Sequence, residues 1–506
     1  MGVKLSLILV LLLAAFLRLW QLQVIPPGIY PDEAQNAMDA IQTLETRQPQ
    51  VFYPANNGRE GLFNNLTALS FAIFGISIWS FKIVPAAAGI LTVLGQYLLS
   101  KELLLKILDR KRAELAALLA AFLLAVSFWH INFSRIQFRA ILLPLVLSFA
   151  FFFLLQGMRT RKLWNFAVAG VIYGLGFYTY ISFRLSALLV GAALLIWIFQ
   201  AMKEKWLRQY LVLASVFSVI VVVVAMPLLL YFFSHPEFFI SRAEGVSIFA
   251  KDNPLLAFGE SLGKHLAMFH IAGDNNWRHN VAGRPEISIA AGLFVLLAIA
   301  YAFKKWSSSY ALLFIWFFAL LLPGVLTFEG IPHSLRVIGV IPAVYALAGL
   351  GALLFFSWLK NILDQKKAPR VIFPILLGFF LTSSVIVTFN EYFLVWAKMP
   401  QVQDAFTTRF VEAGTIANDL PATAKKYVVK SEGDLPTETV KFIQRTAGKQ
   451  DAIFISVQDA ETRTFQRGDF IITMNQERSI IDALWLRYPQ GILKIFPQVL
   501  VYVPVP

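Results

Sequence analysis

The sequence predicts a polytopic α-helical membrane protein with a small extracytoplasmic α/β domain at its C-terminal end. Three observations carry that reading. Of 506 residues, 58% are hydrophobic and 15% charged, with a mean hydropathy of +0.66, whereas soluble domains carry about 25% charged residues. Apolar runs long enough to cross a bilayer, about 20 residues each, recur from residue 5 to residue 391. Beyond residue 391 the composition changes, and residues 392–506 hold 13 Lys/Arg and 12 Asp/Glu. These features exclude a soluble enzyme, a disordered chain and a nucleic-acid-binding domain as the bulk of the molecule. Cysteine is absent, which excludes disulfides, thiolate metal sites and cysteine nucleophiles.

About 11 transmembrane helices are expected, near residues 5–24, 78–100, 113–131, 140–157, 163–181, 185–200, 211–233, 287–303, 309–326, 337–358 and 371–391. The first, flanked by Lys4 and without a small-residue cleavage site, reads as an uncleaved anchor. The short loops 101–112, 159–162, 203–208, 304–305 and 360–370 hold 17 Lys/Arg in 35 residues, against 11 in the much longer opposite loops. By the positive-inside rule the dense set is cytoplasmic. The N-terminus is then inside, and an odd number of crossings puts the C-terminus outside. This divides the chain into a transmembrane domain, residues 1–391, and a soluble domain, residues 392–506. The transmembrane domain carries two long outer loops, 25–77 and 234–286. Within the first, the apolar stretch Leu62–Phe74 is too short to span and reads as interfacial. In the tail, Tyr427–Val429, Ala452–Val457, Phe470–Thr473 and Val499–Val503 read as strands, and Thr437–Thr446 and Ser479–Tyr488 as helices between them.

The chemistry gathers on the outer side. All six histidines lie there or at an outer helix end. So do Arg59, Arg135, Arg139, Arg184, Arg242, Arg278 and Arg336, against the charge bias. Any one such arginine is explained by snorkelling, but seven together point to an anionic partner, because the planar guanidinium matches phosphate oxygens. The first outer loop opens Pro26-Pro27-Gly28-Ile29-Tyr30-Pro31-Asp32-Glu33, where prolines restrain an adjacent pair of carboxylates just past a span. The plainer reading makes Asp32 the N-cap of a helix starting at Glu33. Further candidates are Arg59 and Glu60 ahead of the amphipathic stretch, Arg139 after the third span, and Tyr178, Tyr180 and Arg184 where a span emerges. Arg278, His279 and Asn280 in the second large loop, and His333 and Arg336 in the last outer turn, complete the set.

In that order these motifs resemble the bacterial GT-C glycosyltransferases, in the branch of protein O-mannosyltransferase-like enzymes and the aminoarabinose transferases of lipid A. The resemblance covers residues 5–391. It implies a polyprenyl-phosphate-linked sugar donor, transfer with inversion to a hydroxyl of a protein, lipid or glycan acceptor on the outer face of the cytoplasmic membrane, and no organic cofactor. Asp32 matches the family's first-loop catalytic aspartate and Glu33 the acid beside it. Arg59 falls where lipid-A-modifying relatives carry a lysine. Those relatives also have a second aspartate after the third span, where this chain has Arg135 and Arg139, so neither the use of a divalent metal nor the acceptor class carries over. A lipid-linked oligosaccharide ligase or polymerase is the nearest alternative. A flippase is disfavoured, because transporters place ionisable residues at the bilayer midplane and these spans hold few.

Overall fold

The computed structural model describes residues 2–239 and 245–505, so Arg242 lies outside the described residues. By internal packing the chain divides into two compact units. One comprises Met1–Trp20, Gln50–Phe63 and Ile83–Leu394; the other comprises Gln21–Pro49, Asn64–Lys82 and Val395–Pro506.

The first unit is built of apolar helices. Seven segments of the described chain are long and apolar enough to cross a membrane: Ile78–Leu104, Arg139–Thr160, Ile181–Lys203, Leu207–Ser234, Ser308–Val325, Ile338–Gln365 and Ile372–Lys398. The helices under the other predicted spans are shorter. They are α1 (Val3–Leu19), α5 (Arg110–Ala125), α8 (Leu163–Gly176) and the helix Ile289–Lys304. The stretch predicted as one span over 113–131 is broken. The α5 helix ends at Ala125, and the Ser127 hydroxyl accepts the His130 N–H at 3.2 Å to start a new six-residue helix, Phe128–Phe133. A serine oxygen at an N-cap satisfies an otherwise orphaned donor, and here it divides an apolar run that periodicity reads as continuous.

Small residues set the closest helix contacts. The face Ala113, Ala116, Ala117, Ala120 and Ala121 of α5 is fully buried. A side chain on Gly349 would collide with the Ala116 carbonyl and Ala120, and one on Gly351 with the Phe294 carbonyl. The helix Ile341–Gln365 thus approaches two neighbours through glycines, as membrane helices do where dispersion has to replace the hydrophobic effect. The opposite condition holds outside, where Val223 is 63% and Phe379 71% exposed. Those apolar faces suit lipid, not water.

The second unit holds a five-stranded sheet in the order β4-β3-β5-β7-β6, from β3 (Lys426–Val429), β4 (Ala452–Ile455), β5 (Phe470–Thr473), β6 (Ile492–Ile495) and β7 (Leu500–Val503). The β3 strand runs parallel to β4 and β5, while β7 is antiparallel to β5 and β6. The expected strand over 452–457 stops at Ile455, because Ser456 and Asp459 form a capping box that turns Val457–Thr462 into a helix. The β6 strand is missing from the sequence reading. It is a four-residue edge strand, mostly exposed and interrupted by Lys494, so it lacks the alternating burial that marks a strand.

The segment after α1 belongs to this second unit. Helix α2 (Pro31–Thr46) and helix α3 (Leu62–Phe74) bury Ala34, Ala37, Ile41, Ala68 and Phe71 together with Phe442 and Ile443 of the tail. Asn64 donates to the Asp39 carboxylate at 3.2 Å across the two helices.

Candidate active site

The proline-rich opening of the first loop is held by the tail. Gly28 has φ +71°, and a side chain there would meet the Phe406 carbonyl, so both conformation and space require glycine. The next carbonyl, of Ile29, accepts from the Thr407 and Thr439 hydroxyls at 3.3 and 3.2 Å. Helix α2 then begins at Pro31, one residue inside its N-cap Tyr30, where proline's missing N–H costs nothing. The cap therefore does not fall on Asp32, as the plainer sequence reading has it. Glu33 closes the capping box by accepting the Tyr30 backbone N–H at 3.0 Å, and it is 2% exposed. Asp32, in the first turn, is half-buried. Structure thus divides the carboxylate pair: Glu33 orders the helix start, and Asp32 stays within reach of solvent.

In the first unit, Glu60 collects two of the predicted arginines. A short hairpin pairs β1 (Phe52–Tyr53) with β2 (Arg59–Glu60) through a turn in which Asn56, Asn57 and Gly58 all have positive φ. Gly61 closes it, since a side chain there would strike the Gln50 carbonyl. The Glu60 carboxylate, 4% exposed, accepts from Arg139 Nε at 2.8 Å and lies 4.0 Å from Arg184 Nη2. Arg139 also lies over the Tyr180 ring, 5.3 Å from its centroid. Arg184 donates to the Phe239 carbonyl at 2.6 Å and is packed between the faces of Phe232 and Phe239, with its side chain 25% exposed. Arg59, next to Glu60 in sequence, is buried, with Nε on the Ala55 carbonyl at 3.2 Å.

Tyr178 serves the scaffold. Its phenol oxygen donates to the Val224 carbonyl at 2.8 Å and accepts the Leu228 N–H at 3.3 Å. It therefore bridges a rung of the ladder in α10 (Leu207–Ser234) beside Pro227, where proline disrupts helical bonding. Arg135 likewise serves helix ends. It donates to the carbonyls of Leu17 and Trp20 at 3.2 and 2.6 Å, while buried Arg18 caps the carbonyls of Leu124 and Ala125 and meets His130 Nδ1 at 2.7 Å. Last-turn carbonyls have no intrahelical donors, and these two guanidiniums supply them.

The remaining candidates form a second cluster around Asp274, which the sequence reading did not single out. Its Oδ2 accepts from His279 Nδ1 at 2.8 Å and from the Ser334 backbone and hydroxyl, both at 2.9 Å; Oδ1 accepts the Asn276 N–H at 2.8 Å. His333 Nδ1 lies 3.9 Å from Oδ2. Asn280 binds the Arg284 carbonyl and, at 3.2 Å, Glu286 Oε1, which also accepts the Asp274 N–H at 2.9 Å. Arg278 enters through its carbonyl, which accepts from Asn132 at 2.7 Å. Arg336 binds the Thr327 hydroxyl and the Glu329 carbonyl, both at 2.7 Å. Burial opposes the charge on Asp274, but His279 and the surrounding donors hold its carboxyl below the usual range. Burial lowers His279 against the pull of Asp274, and burial followed by the neighbouring His279 lowers His333. Burial and then the Asp274 charge push Glu286 well up. No spacing rule could have paired Asp274 with Ser334, 60 residues away.

The sequence profile of the family described as dolichyl-phosphate-mannose-protein mannosyltransferase matches residues 62–231. No curated protein matches the chain. Among solved structures, the chain is similar to ArnT from Cupriavidus metallidurans bound to undecaprenyl phosphate, with 14% identity over 99% of this chain and 98% of that one and a TM-score of 0.57. It is also similar to the oligosaccharyltransferase AglB from Archaeoglobus fulgidus in complex with an inhibitory peptide and a dolichol-phosphate, with 14% identity over 99% of this chain and 74% of that one and a TM-score of 0.53. The chain thus shares the fold of these two solved structures.

Proposed function

We propose that the protein transfers a sugar, with inversion, from a polyprenyl-phosphate donor to an acceptor hydroxyl on the outer face of the cytoplasmic membrane. The observation that carries this reading is the Glu60 hub, where Arg139 and Arg184 meet one carboxylate inside an apolar helical unit. Undecaprenyl phosphate bound to ArnT and dolichol-phosphate bound to AglB support it. A donor of this kind keeps its isoprenoid in lipid and presents a phosphate at the membrane edge. As the bond to the anomeric carbon breaks, charge develops on the phosphate, and preorganised cations lower that barrier. Arg184, partly exposed, is the lead phosphate ligand, with Arg139 on the same carboxylate, Tyr180 orienting Arg139, and Arg59 next to Glu60 in sequence. Asp32 accepts the proton of the attacking hydroxyl, and Glu33 and the Ile29 anchorage position it. His279, Asn280, His333, Arg278 and Arg336 order the outer loops.

Binding of undecaprenyl phosphate to the purified protein tests the reading. Arg184→Ala removes a charged hydrogen bond worth about 1.5–3 kcal/mol, so donor affinity should fall roughly 10- to 150-fold. Unchanged affinity would sink the assignment. Mass spectrometry of membrane extracts with and without the gene then identifies the sugar and the acceptor. It also separates a monosaccharide from an oligosaccharide donor, the second reading that the likeness to AglB favours.

The reading also requires the Asp32 loop, the loop 234–286 and the tail to share the non-cytoplasmic side. Single cysteines at positions 45, 252 and 450, introduced into a chain that has none, should react with an impermeant thiol reagent in cells whose outer barrier has been opened. One at position 365 should react only after lysis. Labelling at 365 before lysis, or protection at 450, would overturn the orientation.

A further inference from the structure

We propose that Asp274, His279 and His333 form a site for one divalent transition-metal ion of the zinc class, tying the loop 273–286 to the turn 332–334. Their three ligand atoms lie within 4.8 Å of one another. Asp274 Oδ2 is 2.8 Å from His279 Nδ1 and 3.9 Å from His333 Nδ1. Ligands around a tetrahedral Zn²⁺, each about 2.0–2.1 Å from the metal, stand roughly 3.3 Å apart. That value falls between the two observed distances, so small side-chain rotations bring the set to coordination geometry.

The chemistry of the donors agrees. Two imidazoles and a carboxylate suit zinc and its neighbours, whereas Mg²⁺ and Ca²⁺ prefer oxygen alone. His333 Nδ1 is buried and makes no hydrogen bond, although a buried ring nitrogen ordinarily has a partner. The supports are also in place. Ser334 holds Oδ2 with two hydrogen bonds, the Asn276 N–H holds Oδ1, and the His333 backbone N–H donates to His265 Nε2 at 3.2 Å. Such supporting bonds orient metal ligands. Three protein ligands leave a fourth position, and the His333 side chain, 15% exposed, marks the open side.

The inference is independent of the transferase reading, and its test uses no activity. The purified full-length protein is stripped with a chelator, dialysed and titrated with Co²⁺, whose tetrahedral complexes absorb strongly in the visible. Wild type should bind one Co²⁺ per chain, lose the spectrum on adding Zn²⁺, keep it in excess Mg²⁺, and show a higher melting temperature when loaded. His333→Ala is the decisive variant, because His333 holds its neighbours through its backbone and the Asp274–His279–Ser334 bonds survive its loss. It should bind Co²⁺ at least tenfold more weakly and lose the metal-dependent rise in melting temperature. Should His333→Ala not fold, His333→Asn and the wild-type spectrum decide: a tetrahedral spectrum weakened by the asparagine supports the site. Absence of binding, binding untouched by the His333 variants, or displacement by Mg²⁺ would overturn it.

Discussion

Asp32→Asn is expected to slow sugar transfer by about 10²- to 10⁴-fold, the usual contribution of a general base, while leaving polyprenyl-phosphate binding intact. Asparagine keeps the shape of the side chain and removes its basicity. The fold should tolerate it, because the helix start rests on Pro31 and on the Glu33–Tyr30 capping box. The paired control is Glu33→Gln. It weakens the acceptor of the Tyr30 N–H, so it should cost stability and lower activity only through disorder at the start of the helix. A melting temperature unchanged in Asp32→Asn and lowered in Glu33→Gln would separate the two roles. Near-normal turnover by Asp32→Asn would show that another group takes the proton.

Glu60→Ala is expected to be the most destabilising single change in the hub. It strips Arg139 Nε of the carboxylate that receives it at 2.8 Å, in a pair whose side chains are 8% and 4% exposed. Removing one partner of a buried ion pair costs about 3–5 kcal/mol, which should appear as a fall in the thermal unfolding temperature in detergent. Two further measurements give this physical meaning. The double variant Glu60→Ala/Arg139→Met should recover part of the loss, because the buried charge left behind is gone. Undecaprenyl phosphate should stabilise Glu60→Ala more than wild type, since an anion held by Arg184 and Arg139 replaces the missing carboxylate. An unchanged unfolding temperature would mean that the Glu60–Arg139 pair adds nothing, and an absent ligand effect that the phosphate binds elsewhere.

How much of this was readable in the chain depends on the range over which each signal acts. Membrane class, the position of the apolar helices and the α/β character of the tail follow from local quantities: hydropathy over about 20 residues, the two periodicities of helix and strand, and capping chemistry within four residues. The Pro-Pro-Gly approach to Asp32 belongs here too, because proline and glycine act on their own backbone. Where local signals conflicted, the reading slipped. Ser127 splits an apolar run, Ser456 ends a strand two residues early, and the exposed strand Ile492–Ile495 carries no pattern.

Folding in three dimensions settled the partners. Arg135 and Arg139 are four residues apart and look alike in sequence, yet one caps the carbonyls of Leu17 and Trp20 and the other meets Glu60, 79 residues away. Asp274, an ordinary turn residue in the sequence, becomes the centre of a buried cluster only because Ser334 and His333 are brought to it. The helices following α1 pack with the tail more than three hundred residues on, around Phe442 and Ile443. The reason is the same in each case. A guanidinium or carboxylate carries its charge whatever lies near it, but its desolvation, its hydrogen bonds and therefore its role are set by neighbours that only packing supplies.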